Sequence, residues 1–157
     1  VADWNPRINL TGARDAASRV TRLVGDIPAW APRVVGPRVL DIGSGNGSPG
    51  LVLAILRPDL EVTLLEPRVR RWAFLREAIR DAGVRADAVR ARHDQYDGPP
   101  ADTAVLRALQ LEARDLWPLI RPGGLWVQVG AAPASQGGFE PQPGWGPDVH
   151  VARRCFT

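Results

Sequence analysis

The chain has 157 residues, 45% of them apolar and 24% charged, with one cysteine, two histidines and a formal net charge of +3. That length suits one sheet-and-helix core. No run of roughly 18 apolar residues offers a membrane span, no charged-then-apolar start resembles a secretory leader, and Cys155, His93 and His150 make neither an intramolecular disulfide nor a zinc set, so a single soluble, cytoplasmic, metal-free domain is expected.

In chain order, residues 1–38 read as a partly helical N-terminal cap with Trp4, Ile8, Leu10, Val20, Leu23, Val24, Ile27 and Trp30 as its apolar face. All basic residues of the chain are arginine; the cap holds six against three aspartates, and residues 68–80 hold five against one glutamate. Two such patches suit a phosphate-bearing partner, because a guanidinium fork matches phosphate oxygens. A solvated surface in an arginine-rich chain accounts for them equally well.

Residues 39–42 form a short apolar strand, and Pro49 with Gly50 opens a helix to about Leu56. A second strand spans 60–66; Pro67 suits a first helical turn, and the helix over 68–82 carries Val69, Trp72, Leu75 and Ile79 at helical spacing before Gly83 ends it. Strands are then expected at 86–91, 103–106 and 125–129, with a helix over 109–120 and a turn at Arg121-Pro-Gly-Gly124. The Gly, Pro, Ser and Gln of residues 130–147 read as a loop, either a lid or a long connection, before a last strand near 149–152. Alternating strands and helices predict an α/β, Rossmann-like, mostly parallel sheet with helices on both faces.

The stretch VLDIGSGNGSPGL (39–51) concentrates the chemistry. Gly43, Gly45, Gly47 and Gly50 strip side chains from the point where the chain leaves the sheet, so a ligand could lie on bare backbone at the carboxyl ends of the strands. The run from Gly45 to Gly50 also satisfies the dinucleotide pattern G-x-G-x-x-G. Asp41 argues against a pyrophosphate there and for a cationic, phosphate-free ligand such as S-adenosylmethionine. Glu66 ends the second strand nineteen residues after Gly47, where an acid meets ribose hydroxyls. Each acid has a plainer reading as a loop or helix-start carboxylate.

These motifs together resemble the bacterial glucose-inhibited-division-type methyltransferases, which make 7-methylguanosine in 16S ribosomal RNA. Trp4-Asn5 and Ile8-Asn-Leu-Thr11 resemble that family's WN…NLT element, and residues 39–51 its glycine loop including Pro49-Gly50. Thr63-Leu-Leu-Glu66, Phe74-Leu-Arg-Glu77, Asp102 to Ala108 and Arg121-Pro-Gly-Gly124 are similar to its later motifs. The resemblance implies a class I methyltransferase with S-adenosyl-L-methionine held by Asp41, Gly43, Ser44, Gly45, Gly47, Pro49, Glu66, Pro67, His93, Asp94 and Arg107. It places Arg107 and Asp26 at the catalytic pocket, and small-subunit ribosomal RNA as the partner. For Arg107 a structural ion pair is the competing role, and Trp145 is a candidate to stack on a base or cap the cofactor.

Three departures fall on the substrate side. Where the family has R-H-x-x-D-S, residues 22–27 keep Arg22 and Asp26 but lose His and Ser. Gly130-Ala131 replaces Lys-Gly, and family members are generally longer. A methyltransferase for a small molecule or another RNA, or a non-catalytic S-adenosylmethionine-binding protein, therefore stands as the alternative. A monomer is the default.

Overall fold

The computed structural model describes residues 3–8, 10–133 and 137–156. Its frame is a seven-stranded sheet built from β1 (Arg38–Ile42), β2 (Glu61–Leu65), β3 (Ala86–Val89), β4 (Ala101–Arg107), β5 (Ile120–Val129), β6 (Phe139–Gly146) and β7 (Val149–Arg154), in the order β3-β2-β1-β4-β5-β7-β6. The first five strands pair in parallel; β7 lies antiparallel to β5, and β6 antiparallel to β7. The parallel strands need crossovers, and α4 (Gly50–Leu56) and α5 (Val69–Ala82) supply the first two.

Side-chain alternation divides the core. Val39, Val62, Leu64, Val105, Val127 and Val129 face one side, where Leu53 of α4, Phe74 and Leu75 of α5, and Ile27 and Trp30 cover them. Leu40, Ile42, Leu65, Ala104, Leu106 and Trp126 face the other, under Ala113, Leu116 and Leu119. The N-terminal cap is helical in pieces: α1 (Asn5–Ile8), α2 (Ala16–Leu23) and α3 (Ile27–Trp30). Its expected apolar face holds for Leu10, Ile27 and Trp30, which are buried, whereas Val20 is 59% exposed. Asn5 closes the turn into the cap by donating to the Thr11 carbonyl at 2.9 Å and accepting the Thr11 N–H at 2.7 Å, which explains two of the WN…NLT residues; Asn9 lies outside the described residues.

Three elements differ from expectation. The turn foreseen at 121–124 lies inside β5, as an irregularity where its pairing with β4 shifts from Ala101–Ile120 to Thr103–Leu125. The helix foreseen over 109–120 shrinks to α6 (Ala113–Leu116) and a 3₁₀ turn over Trp117–Leu119. Pro118 lacks the N–H a continuing helix would use, and Ile120 turns to extended backbone with ψ 130°. The loop expected at 130–147 contains the edge strand β6 in its second half; residues 134–136 lie outside the described residues. Trp145 belongs to that strand and packs, half-buried, on the core against Trp30 at 6.2 Å between ring centroids.

Candidate active site

The site begins where β1 and β2 end side by side. Gly43 and Ser44 both donate their N–H groups to the Leu65 carbonyl at 2.9 Å, folding the glycine loop back over β2. Gly43 sits at φ +75°, a backbone conformation that calls for glycine, and a Cβ there would also press on the tip of the Leu109 side chain at 2.9 Å. Glu66 is buried, and its carboxylate accepts the Gly45 N–H at 3.1 Å and the Arg68 N–H at 2.8 Å. One acid thus holds the loop and the start of α5, with lone pairs left over for a ligand hydroxyl.

Asp41 points elsewhere. The alternation that sends Val39 toward α4 sends Asp41 the same way, and its Oδ2 accepts the Gly50 N–H at 2.9 Å beneath the loop. A Cβ on Gly50 would lie 2.5 Å from that oxygen and 2.4 Å from Leu64 Cδ2, so glycine at this position lets α4 approach the acid. Burial pushes the Asp41 carboxyl up to about 7, against the opposing pull of the Gly50 N–H, the Ser44 side chain and the Arg107 charge.

A cavity of about 530 Å³ opens above the loop. Gly43, Ser44, Gly45, Glu66, Pro67, His93 and Arg107 line it, together with the apolar Leu10, Ile42, Leu65, Leu109 and Leu111. The structure therefore brings together seven of the residues singled out in the sequence. Gly47 and Pro49 are buried within the loop, and Asp41 lies under it, all three off the wall. Asp94 turns to Arg92 at 3.2 Å and leaves the wall to His93.

Arg107 ends β4 at a junction. It donates to the Ser48 hydroxyl and, at 3.2 Å, to the Arg22 carbonyl, so it clamps the N-terminal cap to the glycine loop; it makes no ion pair among the described residues. Ala108 beside it adopts φ +55°, a left-handed conformation that costs a non-glycine residue about 1 kcal/mol. Both residues also line a second cavity, of about 610 Å³, together with Asp26, Val129, Gly130 and Asp148.

Arg68, Arg71, Arg92, Asn46 and Ala108 line the first cavity without having been singled out. Arg71 was within reach of sequence reasoning, because it stands three residues after Arg68 on the same face of the first turn of α5. Arg107, placed by motif at the catalytic pocket, and Asp26 do share the second cavity.

The family model described as "GidB: rRNA small subunit methyltransferase G" matches residues 1–135. A ribosomal RNA small subunit methyltransferase G of Chromohalobacter salexigens is 40% identical over 130 residues, covering 80% of this chain and 62% of that protein. The Mycobacterium leprae protein of the same description is 49% identical over 96 residues, covering 57% of this chain and 39% of that one. The chain thus spans about three-fifths of the length of the longer-matching curated relatives. Among solved structures, the T. thermophilus 16S rRNA N2 G1207 methyltransferase in complex with AdoMet and guanosine aligns with TM-score 0.62 at 20% identity, over 92% of this chain and 44% of that one. The [4+2]-cyclase SpnF aligns with TM-score 0.69 at 17% identity, over 94% and 85%. At such identities these two show the fold, a class I Rossmann-like methyltransferase sheet.

Proposed function

The chain belongs to the GidB family of small-subunit ribosomal RNA methyltransferases, and from that premise we propose that it transfers a methyl group from S-adenosylmethionine to guanine N7 of small-subunit ribosomal RNA. The observation that carries this reading is the pair of cavities sharing Arg107 and Ala108, one over the glycine loop and one beside it. Group transfer needs two ligand sites with a common wall, and a module that merely binds one ligand does not.

The first cavity fits the donor. A Cβ at Gly43 or Gly50 would fill the cradle or break its support, and Glu66 stands ready for ribose hydroxyls. When bound, S-adenosylmethionine supplies an electrophilic methyl group on a positively charged sulfur. The backbone of Gly43 to Gly45 and the apolar side chains of Leu65 and Leu109 would hold the nucleoside and exclude water, with His93 at the rim. Asp41, one layer below, acts on the site through the loop: its carboxyl holds the Gly50 N–H and so fixes the start of α4 beneath the cradle. Guanine N7 carries a free lone pair at neutral pH, so no general base is needed. The chain's work is alignment, through Arg107 and the left-handed Ala108 turn, and the protection of the reacting atoms from water.

This reading places the protein in the cytoplasm, with residues 1–157 as one methyltransferase domain acting as a monomer on the small subunit. Labelled S-adenosylmethionine with small subunits from a strain lacking the modification tests it: radioactivity in 7-methylguanosine is the expected result. Donor binding by calorimetry with no incorporation into any RNA would count for a non-catalytic binding protein.

A further inference from the structure

The second cavity carries a prediction about which base edge it accepts. Asp148, in the turn between β6 and β7, lies beyond the residues matched by the family model. Its main chain is tied down: the Asp148 carbonyl accepts the Gly130 N–H at 2.8 Å, and the Gly130 carbonyl meets His150 Nε2 at 3.1 Å. The turn is thereby fixed to the end of β5. From the opposite side of the sequence, Asp26 leans on the same hairpin, its Oδ2 3.5 Å from where a Cβ on Gly146 would stand. A Cβ on Gly25 would lie 3.9 Å from Arg107 Nη2, which brings the cap to the wall shared with the first cavity. Neither Asp26 nor Asp148 has an ion-pair partner among the described residues.

We propose that this cavity selects its acceptor through a carboxylate, with Asp148 as the specificity-determining residue that accepts the adjacent N1–H and N2–H donors of a guanine. The inference rests on the methyltransferase reading and deepens it. An ionised carboxylate is an acceptor only, and it takes two parallel donors well. Among the four RNA bases, guanine alone presents two neighbouring donors on its Watson–Crick edge; adenine and cytosine set a ring acceptor beside the amino group, and uracil flanks its one N–H with carbonyls. N7 lies across the bicycle from that edge, so a base gripped by Asp148 keeps N7 clear of the hairpin and available to the donor. An enzyme that acts on a base reads it in this way once it has left the stack.

The test uses small subunits reconstituted with 16S ribosomal RNA carrying either guanine or hypoxanthine at the methylated position. Hypoxanthine keeps N7 and N1–H and lacks only the amino group. The native protein is expected to favour guanine by at least about tenfold in kcat/KM. In Asp148→Ala the rate on guanine should fall to near the hypoxanthine rate, with S-adenosylmethionine affinity unchanged by calorimetry. Equal native rates on the two bases, a preference that survives the substitution, or lost donor affinity in the variant overturns the role of Asp148. Failure of a donor-binding native protein to methylate even guanine overturns the underlying reading instead.

Discussion

At Gly50 a single absent methyl group sets the distance between α4 and β1. Gly50→Ala forces the new carbon against Asp41 Oδ2 and Leu64, and should destabilise the protein by about 1–3 kcal/mol in urea titration. S-adenosylmethionine affinity should fall with it, since the loop moves. The neighbouring Asp41 makes stability depend on pH in an unusual direction. Its carboxyl titrates at about 7 in the folded protein against 3.8 ordinarily, so between those values the unfolded chain has lost the proton and the folded chain keeps it. The stability this proton contributes is complete below about pH 4 and is lost as pH rises through 7, on the order of 4 kcal/mol in all. In Asp41→Asn that slope should vanish, and urea midpoints of native and variant protein from pH 4 to 8 would reveal a constant difference if Asp41 does not titrate there. The aspartate was legible in the sequence as the acid of the loop. Its target was not, because direction follows from strand alternation and from the neighbour that α4 brings.

Among the elements, β6 shows where sequence pattern fails. FEPQPGWG offers neither alternation nor β-branched residues, and its two prolines argue for a loop. At an edge, however, only one side of the strand must pair, and β7 provides that partner. Trp145 then packs on the core, and Trp145→Ala should cost about 1–3 kcal/mol in thermal or urea unfolding while leaving S-adenosylmethionine affinity unchanged. A large loss of affinity would return the side chain to the ligand. By contrast α5 was legible nearly to the residue, because its apolar spacing runs for fourteen residues and Gly83 caps it at φ +62°, donating to the Ile79 carbonyl at 3.0 Å. The helix over 109–120 shared the spacing but not the length, and a single proline ended it.

Over the whole molecule, the two arginine clusters resolve into different duties. In the second, Arg68 and Arg71 line the donor cavity, Arg76 stacks over Trp72 at 5.0 Å and Arg80 pairs with Glu77 at 3.5 Å, while Arg70 stays exposed beside them. The N-terminal cluster keeps Arg7, Arg14 and Arg22 exposed, and Arg22 borders a further cavity that also reaches Arg107. Reversing Arg14 and Arg22 to glutamate should lower methyl transfer to small subunits by about tenfold or more and flatten its salt dependence, with donor binding intact. An unchanged salt dependence would move the RNA path elsewhere. The mostly parallel character of the sheet followed from alternation alone; the second cavity did not, since its walls come from the cap, the end of β4 and the last hairpin, segments no local pattern joins.

The prolines of β6 have one more consequence. Pro141 and Pro143 lie in the outermost strand of the sheet and carry no N–H, so at those two positions β6 has no donor to offer a pairing strand. The hairpin that carries Asp148 is thereby a poorer template for a stray extended chain.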